Sequence, residues 1–193
     1  EPEYIKKLHQ NGGYAIVAHP EGTHVRQFWV KVRGWNQWEE RIDAIEIWSY
    51  MHDWIKGISI TNFWYYYKRP EKNIHGPSKE VLRLWDTLCS SKLIAGIGAL
   101  DAHAKKIPLY PGEIFPYVQL FKTIRTNVIC PKLKGDPVMD IRTLILNMIK
   151  GRAFISYEYL GSARGFRFEC TDNKNTYLQG TELEYTGSEV TFY

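Results

Sequence analysis

Three runs dominated by small and branched apolar residues decide most of what this chain can fold into. They are Tyr14-Ala15-Ile16-Val17-Ala18, Asp43-Ala44-Ile45-Glu46-Ile47-Trp48 and Leu93-Ile94-Ala95-Gly96-Ile97-Gly98-Ala99-Leu100. Runs without strict apolar–polar alternation are how strands buried on both faces of a parallel sheet read. Parallel neighbours need a crossover between them, and the intervals supply helical patterns. Glu3 to Gln10 places Tyr4, Ile5 and Leu8 on one side and stops at Asn11-Gly12-Gly13. Between the second and third runs, Ser78 offers an N-cap, and Val81, Leu82, Leu84, Trp85 and Leu88 follow a 3.6-residue stripe. The pattern predicts a β–α–β–α–β series within an α/β fold, whose functional groups belong at the carboxyl ends of the strands.

Further along, Asp136-Pro137 is an N-cap followed by proline at the first helical position, and that helix runs to Ile149 before Lys150-Gly151. The texture then changes. Ala153–Tyr157, Phe166–Cys170, Thr181–Tyr185 and Val190–Tyr193 are short segments separated by Gly, Asn and Asp, which read as antiparallel β. This places a boundary near 151, with an α/β portion at 1–150 and a small antiparallel β domain at 151–193. The latter is expected to dock through Phe154, Phe166, Phe168 and Phe192 and to complete its open edge with further chain or with a second copy in a homo-oligomer. The chain opens on Glu1-Pro2-Glu3 and stops at Glu189-Val190-Thr191-Phe192-Tyr193 in mid-alternation, so it reads as a fragment, and its compartment stays unread.

Composition narrows the function classes. Hydrophobic residues make up 44% of the 193, enough for a core, and 25 basic against 21 acidic residues give a net charge of +4. The basic residues are scattered, so nucleic-acid binding is permitted without being suggested. No run of about 18 apolar residues exists, so no membrane span is expected. Cys89, Cys130 and Cys170 lie too far apart for a metal knuckle or a disulfide framework and are expected as small buried apolar groups.

Asp101 and His103, two residues apart, share a face on an extended backbone. A carboxylate and an imidazole on one face make part of a site for a divalent metal such as Zn, Mn or Fe, and His19, at another strand end, is a third candidate ligand. In this context Gly12-Gly13-Tyr14-Ala15-Ile16-Val17-Ala18-His19-Pro20 resembles the "GGxxVxAHP" segment of the PHP (polymerase and histidinol phosphatase) superfamily. Asp43-Ala44-Ile45-Glu46-Ile47 is similar to its following "dgIEv" strand, and Gly98-Ala99-Leu100-Asp101-Ala102-His103 to its late "GsDAH" motif, in the same order and spacing. Gly151-Arg152-Ala153-Phe154-Ile155-Ser156 looks like the lead into a β-rich appendage of some bacterial members. The resemblance, over about residues 3–150, implies the later part of a distorted (β/α)7 barrel that hydrolyses phosphate esters with divalent metal ions. It carries His19, Asp101 and His103 over as metal ligands by motif position. The family's early HxH pair, its next acidic or His ligand, its bridging Glu and an intervening His have no counterpart here, so low turnover by this chain alone is expected.

Other residues take secondary places. His24 and Arg26 after the AHP turn, and Lys105 with Lys106 after the DAH turn, are candidates for contact with a phosphorylated small molecule or nucleotide. Glu46 stands in mid-strand, where the family has no usual ligand, and reads as a hydrogen-bonded carboxylate near the barrel mouth. Six of the seven tryptophans fall between 29 and 64, a density that reads as a packed helical insertion over the barrel, with a stacking platform for sugars or bases as the other use. His52 and His75 in that region have no partner at metal spacing, and His9 reads as an inert surface residue. The competing function is a non-catalytic module on a degenerate barrel that binds a carbohydrate or a protein.

Overall fold

The structure is a computed structural model that describes residues 3–25, 30–38, 41–106, 112–172, 175–184 and 190–193. Helix α1 (Glu3–Gln10) buries Ile5 and precedes a short strand β1 (Ile16–Val17). A hairpin of β2 (Thr23–Val25) and β3 (Val30–Val32) follows, then β4 (Ala44–Ser49), which runs without a loop into α2 (Tyr50–Lys56). Next come α3 (Phe63–Lys68), α4 (Lys79–Cys89) and β5 (Ala95–Ala99). The remainder is β6 (Lys105–Lys106), β7 (Glu113–Ile114), α5 (Tyr117–Leu120), β8 (Ile124–Val128), α6 (Pro137–Ile149), β9 (Ala153–Tyr157), β10 (Glu169–Thr171), β11 (Thr176–Leu178) and β12 (Thr191–Phe192).

The three apolar runs form one parallel sheet in the order β1-β4-β5, which makes the chain a mixed α/β protein. The described residues contain several small sheets and no closed barrel. Ile16 pairs with Ala44 and Ala44 with Ala95, but the β4–β5 ladder slips once: Glu46 faces Ile97 and Trp48 faces Gly98, leaving Ile47 over as a bulge. The caps read from the sequence are made. Ser78 Oγ accepts from Val81 N at 3.0 Å, and Asp136 Oδ1 accepts from Val138 N at 3.0 Å and Met139 N at 3.1 Å. The α4 stripe of Leu82, Leu84, Trp85 and Leu88 packs on the buried cluster of Val17, Ile42, Ile45, Ile47, Val81 and Ile94. A second buried cluster gathers Tyr50, Trp54, Ile58, Phe115, Leu120 and Ile124, with Phe63, Tyr66 and Tyr67 against it. Much of the aromatic-rich segment is therefore core, although Trp64 and Tyr65 stay half exposed. Trp29 lies outside the described residues.

Strand β9, just past the expected boundary, pairs antiparallel with β8 from Ile124↔Tyr157 to Val128↔Ala153, so it belongs to a sheet begun before residue 151. That pair lies against β5, where Gly98 N donates to Thr126 Oγ1 at 2.9 Å and Thr126 Oγ1 donates to Gly98 O at 2.7 Å. Glycine is needed there, since a Cβ would stand 2.7 Å from methyl carbons of both Ile124 and Ile155. A separate antiparallel sheet, β11-β10-β12, closes the chain.

Several expectations are corrected. Residues 181–184 form no strand, and Tyr185 lies outside the described residues; the strand falls instead at Thr176–Leu178, which pairs with β10. Phe154 meets Phe166 at 4.7 Å between ring centroids, whereas Phe168 and Phe192 stack on each other at 6.0 Å. Cys89 is exposed and the other two cysteines are only half buried. His9 is not a surface residue: its Nε2 meets Asp43 Oδ2 at 2.9 Å, and the same oxygen accepts from Ala15 N at 2.7 Å, tying α1 to the sheet. No helix among the described residues is long and apolar enough to cross a membrane.

Candidate metal centre

β1 and β5 end in tight turns that aim polar side chains across the carboxyl end of the sheet. His19 and Asp101 each have φ of 50°, in the left-handed region that non-glycine residues seldom occupy. The turn after β1 is held by His19 N, which donates to Glu46 Oε2 at 2.7 Å. Glu46 is almost wholly buried in β4, and the same oxygen lies 2.8 Å from His19 Nδ1, off the axis of a linear hydrogen bond. The opposite edge of the imidazole ring leads to Asp101, whose Oδ1 is 3.6 Å from His19 Nε2.

His103 meets Asp101 by another route than the one its spacing suggests. The backbone at Asp101 is turned, not extended, and the turn lays His103 Nδ1 2.6 Å from the Asp101 carbonyl and 3.5 Å from Oδ1. Its side chain remains largely exposed at the mouth of the site. The structure also brings in a residue that sequence spacing missed. His52, in the first turn of α2, stacks on His19 with ring centroids 3.8 Å apart and planes 11° from parallel, and its Nε2 lies 3.7 Å from Asp101 Oδ2. The only available signal was positional: β4 passes directly into α2, so a histidine three residues past Ser49 is delivered to the strand end.

His19, His52 and Asp101 each offer a ligand atom within 4.8 Å of the others, so the cluster could hold a metal ion. An ion with ligand distances near 2.1 Å in tetrahedral array separates its ligand atoms by roughly 3.4 Å, close to the gaps from Asp101 to the two imidazoles, and the stacked rings must tilt apart for both to aim an in-plane lone pair at it. No family model, curated protein or solved structure matches the chain.

Its electrostatics are those of a cation site. Pairing with Asp101, then with Glu46, raises the His19 pKa from its ordinary 6.5 to about 9 against the opposing effect of burial. Burial favours the neutral form of Asp101, but the pairing with His19 and the charges of the surrounding histidines outweigh it and leave the carboxyl below its usual range. The same contest, again won by His19, lowers Glu46. His52 is lowered, first by burial and then by the charge of His19. A cation that displaces the extra proton of His19 meets the two carboxylates of Glu46 and Asp101, a formal charge of −2 that favours it.

Of the remaining candidates, Lys105 stands exposed in β6, two residues past His103, with Lys106 beside it. His24 belongs to β2, whose backbone alone is described, and Arg26 lies outside the described residues. Beside the cluster a cavity opens between the His19–Gly22 turn, the end of β4, and Gly76–Ser78. Lys56 at its rim pairs with Glu21 at 3.0 Å.

Proposed function

We propose that this chain carries part of the centre of a metal-dependent phosphoesterase of the PHP kind, on a portion of a barrel-like α/β fold. The observation that supports this reading is the convergence of His19, His52 and Asp101 at the carboxyl ends of parallel strands, with His103 at the mouth. The donor set suits Zn, Mn or Fe, being nitrogen and carboxylate oxygen without thiolate. An ion held by these residues would supply Lewis acidity toward a phosphoryl oxygen and a water acidic enough to serve as nucleophile near neutral pH. No side chain of the cluster need act as nucleophile. Glu46 anchors the His19 turn, Asp101 sets the negative charge that recruits the cation, and His52 closes one face of His19. His103 brings a donor to the mouth, where a phosphate monoester of a small molecule or a nucleotide would arrive, and Lys105 on the following strand is the candidate cation for its charge. The donors described suffice for one ion, so by themselves these residues provide part of a multi-metal centre.

Calorimetric titration of the full chain with Zn²⁺ or Mn²⁺, followed by phosphatase and phosphodiesterase assays with each ion, tests the reading. Binding of one ion per chain is expected, weakened about tenfold or more in Asp101→Asn. A folded chain that takes up neither ion would overturn it.

A further inference from the structure

We infer that Glu46 is a positioning residue that commits His19 to metal binding through Nε2. The inference rests on the proposed metal centre and concerns how that centre is kept in register. Three observations carry it. Glu46 is 4% exposed, yet its Oε1 has no hydrogen-bond partner among the described residues, so the carboxylate is not consumed by a structural network. Its other oxygen faces two groups of one residue, His19 N at 2.7 Å and His19 Nδ1 at 2.8 Å. The main-chain bond alone would need only a neutral acceptor, and a buried charge is costly where a neutral group suffices. The charge is accounted for by Nδ1: although the contact lies off the axis of a linear hydrogen bond, a protonated Nδ1 is attracted to a carboxylate oxygen at 2.8 Å, whereas a bare lone pair there would be repelled. With Nδ1 keeping its proton, Nε2 is the nitrogen that yields its proton to a metal, and it is the one that faces Asp101 at 3.6 Å, beside His52. A carboxylate behind a ligating imidazole fixes the ring's tautomer and orientation and raises its basicity as a ligand.

The test compares the full wild-type chain with Glu46→Gln, which keeps an acceptor for His19 N and removes the charge. Co²⁺ binding is read from the ion's visible absorption, and fold integrity from circular dichroism. Expected are a 10- to 100-fold weaker Co²⁺ affinity in Glu46→Gln and an altered absorption band, a signature that a purely structural carboxylate would not move. Unchanged affinity and spectrum would overturn the inference while leaving the metal centre standing. Failure of the folded wild type to bind Co²⁺ would overturn the metal centre itself and the inference with it. Should Glu46→Gln not fold, long-range ¹H–¹⁵N correlation spectra of the Zn²⁺-loaded wild type decide the matter. His19 must show a protonated Nδ1 and a metal-shifted Nε2, and the opposite assignment overturns the inference.

Discussion

Ala44 and Ile45 in β4 have no exposed surface, while Phe168 and Phe192 on the C-terminal sheet stack together with 47% and 64% of their surfaces in solvent. Both regions are built from strand-forming residues, and they are stabilised by different means. The parallel sheet is gripped by α4 on one side and abuts the β8–β9 pair through Gly98, so its side chains gain from burial. The β11-β10-β12 sheet is joined by strand pairing, with the Phe168–Phe192 stack at its side and the preceding loop touching β9 where Phe166 meets Phe154. A site that needs side chains fixed to within a fraction of an ångström belongs on the first kind of platform. That is where His19, Glu46 and Asp101 stand.

The contrast can be broken by substitution. Ile45→Ala is expected to cost about 2–5 kcal/mol, the range for emptying a fully buried aliphatic position. Gly98→Ala comes next, at about 1–3 kcal/mol, because the added methyl collides with Ile124 and Ile155 and must push the β8–β9 pair off β5. Phe192→Ala should fall within about 0.5 kcal/mol of wild type, as exposed positions usually do. Urea denaturation of the three variants measures all of these. A loss at Phe192 equal to that at Ile45 would mean that the C-terminal sheet has a buried face of its own.

The parallel sheet was legible in the sequence because long apolar runs admit few other fates, and the caps at Ser78 and Asp136 were legible because capping is local. His19, Asp101 and His103 were singled out by motif, and the structure sets His19 and His103 about Asp101. Two-residue spacing puts Asp101 and His103 on one face only where the backbone is extended, and the left-handed φ at Asp101 makes a turn there instead. His52 is not legible from the sequence, because its partners are 33 and 49 residues away along the chain, a relation that no local spacing encodes. The same holds for His9, whose partner carboxylate, Asp43, arrives from another element. In the last forty residues the strand segments are short and their burial is partial, so neither periodicity nor composition fixes where pairing begins.

The bulge in β4 has a consequence for how the gene can change. Side chains alternate along a strand, so one surplus residue at Ile47 resets which face every later residue occupies. Upstream of it Glu46 reaches back to His19; downstream α2 starts at Tyr50 and carries His52 onto the same ring. Deleting one residue between 49 and 51 would leave the bulged ladder as it is, yet it would swing His52 about 100° around the helix axis and away from His19. Codon insertions and deletions should therefore collect in stretches such as 130–135, between β8 and α6, and be purged from 49–52. There a slip of a single residue would cost the chain the stacking of its two imidazoles.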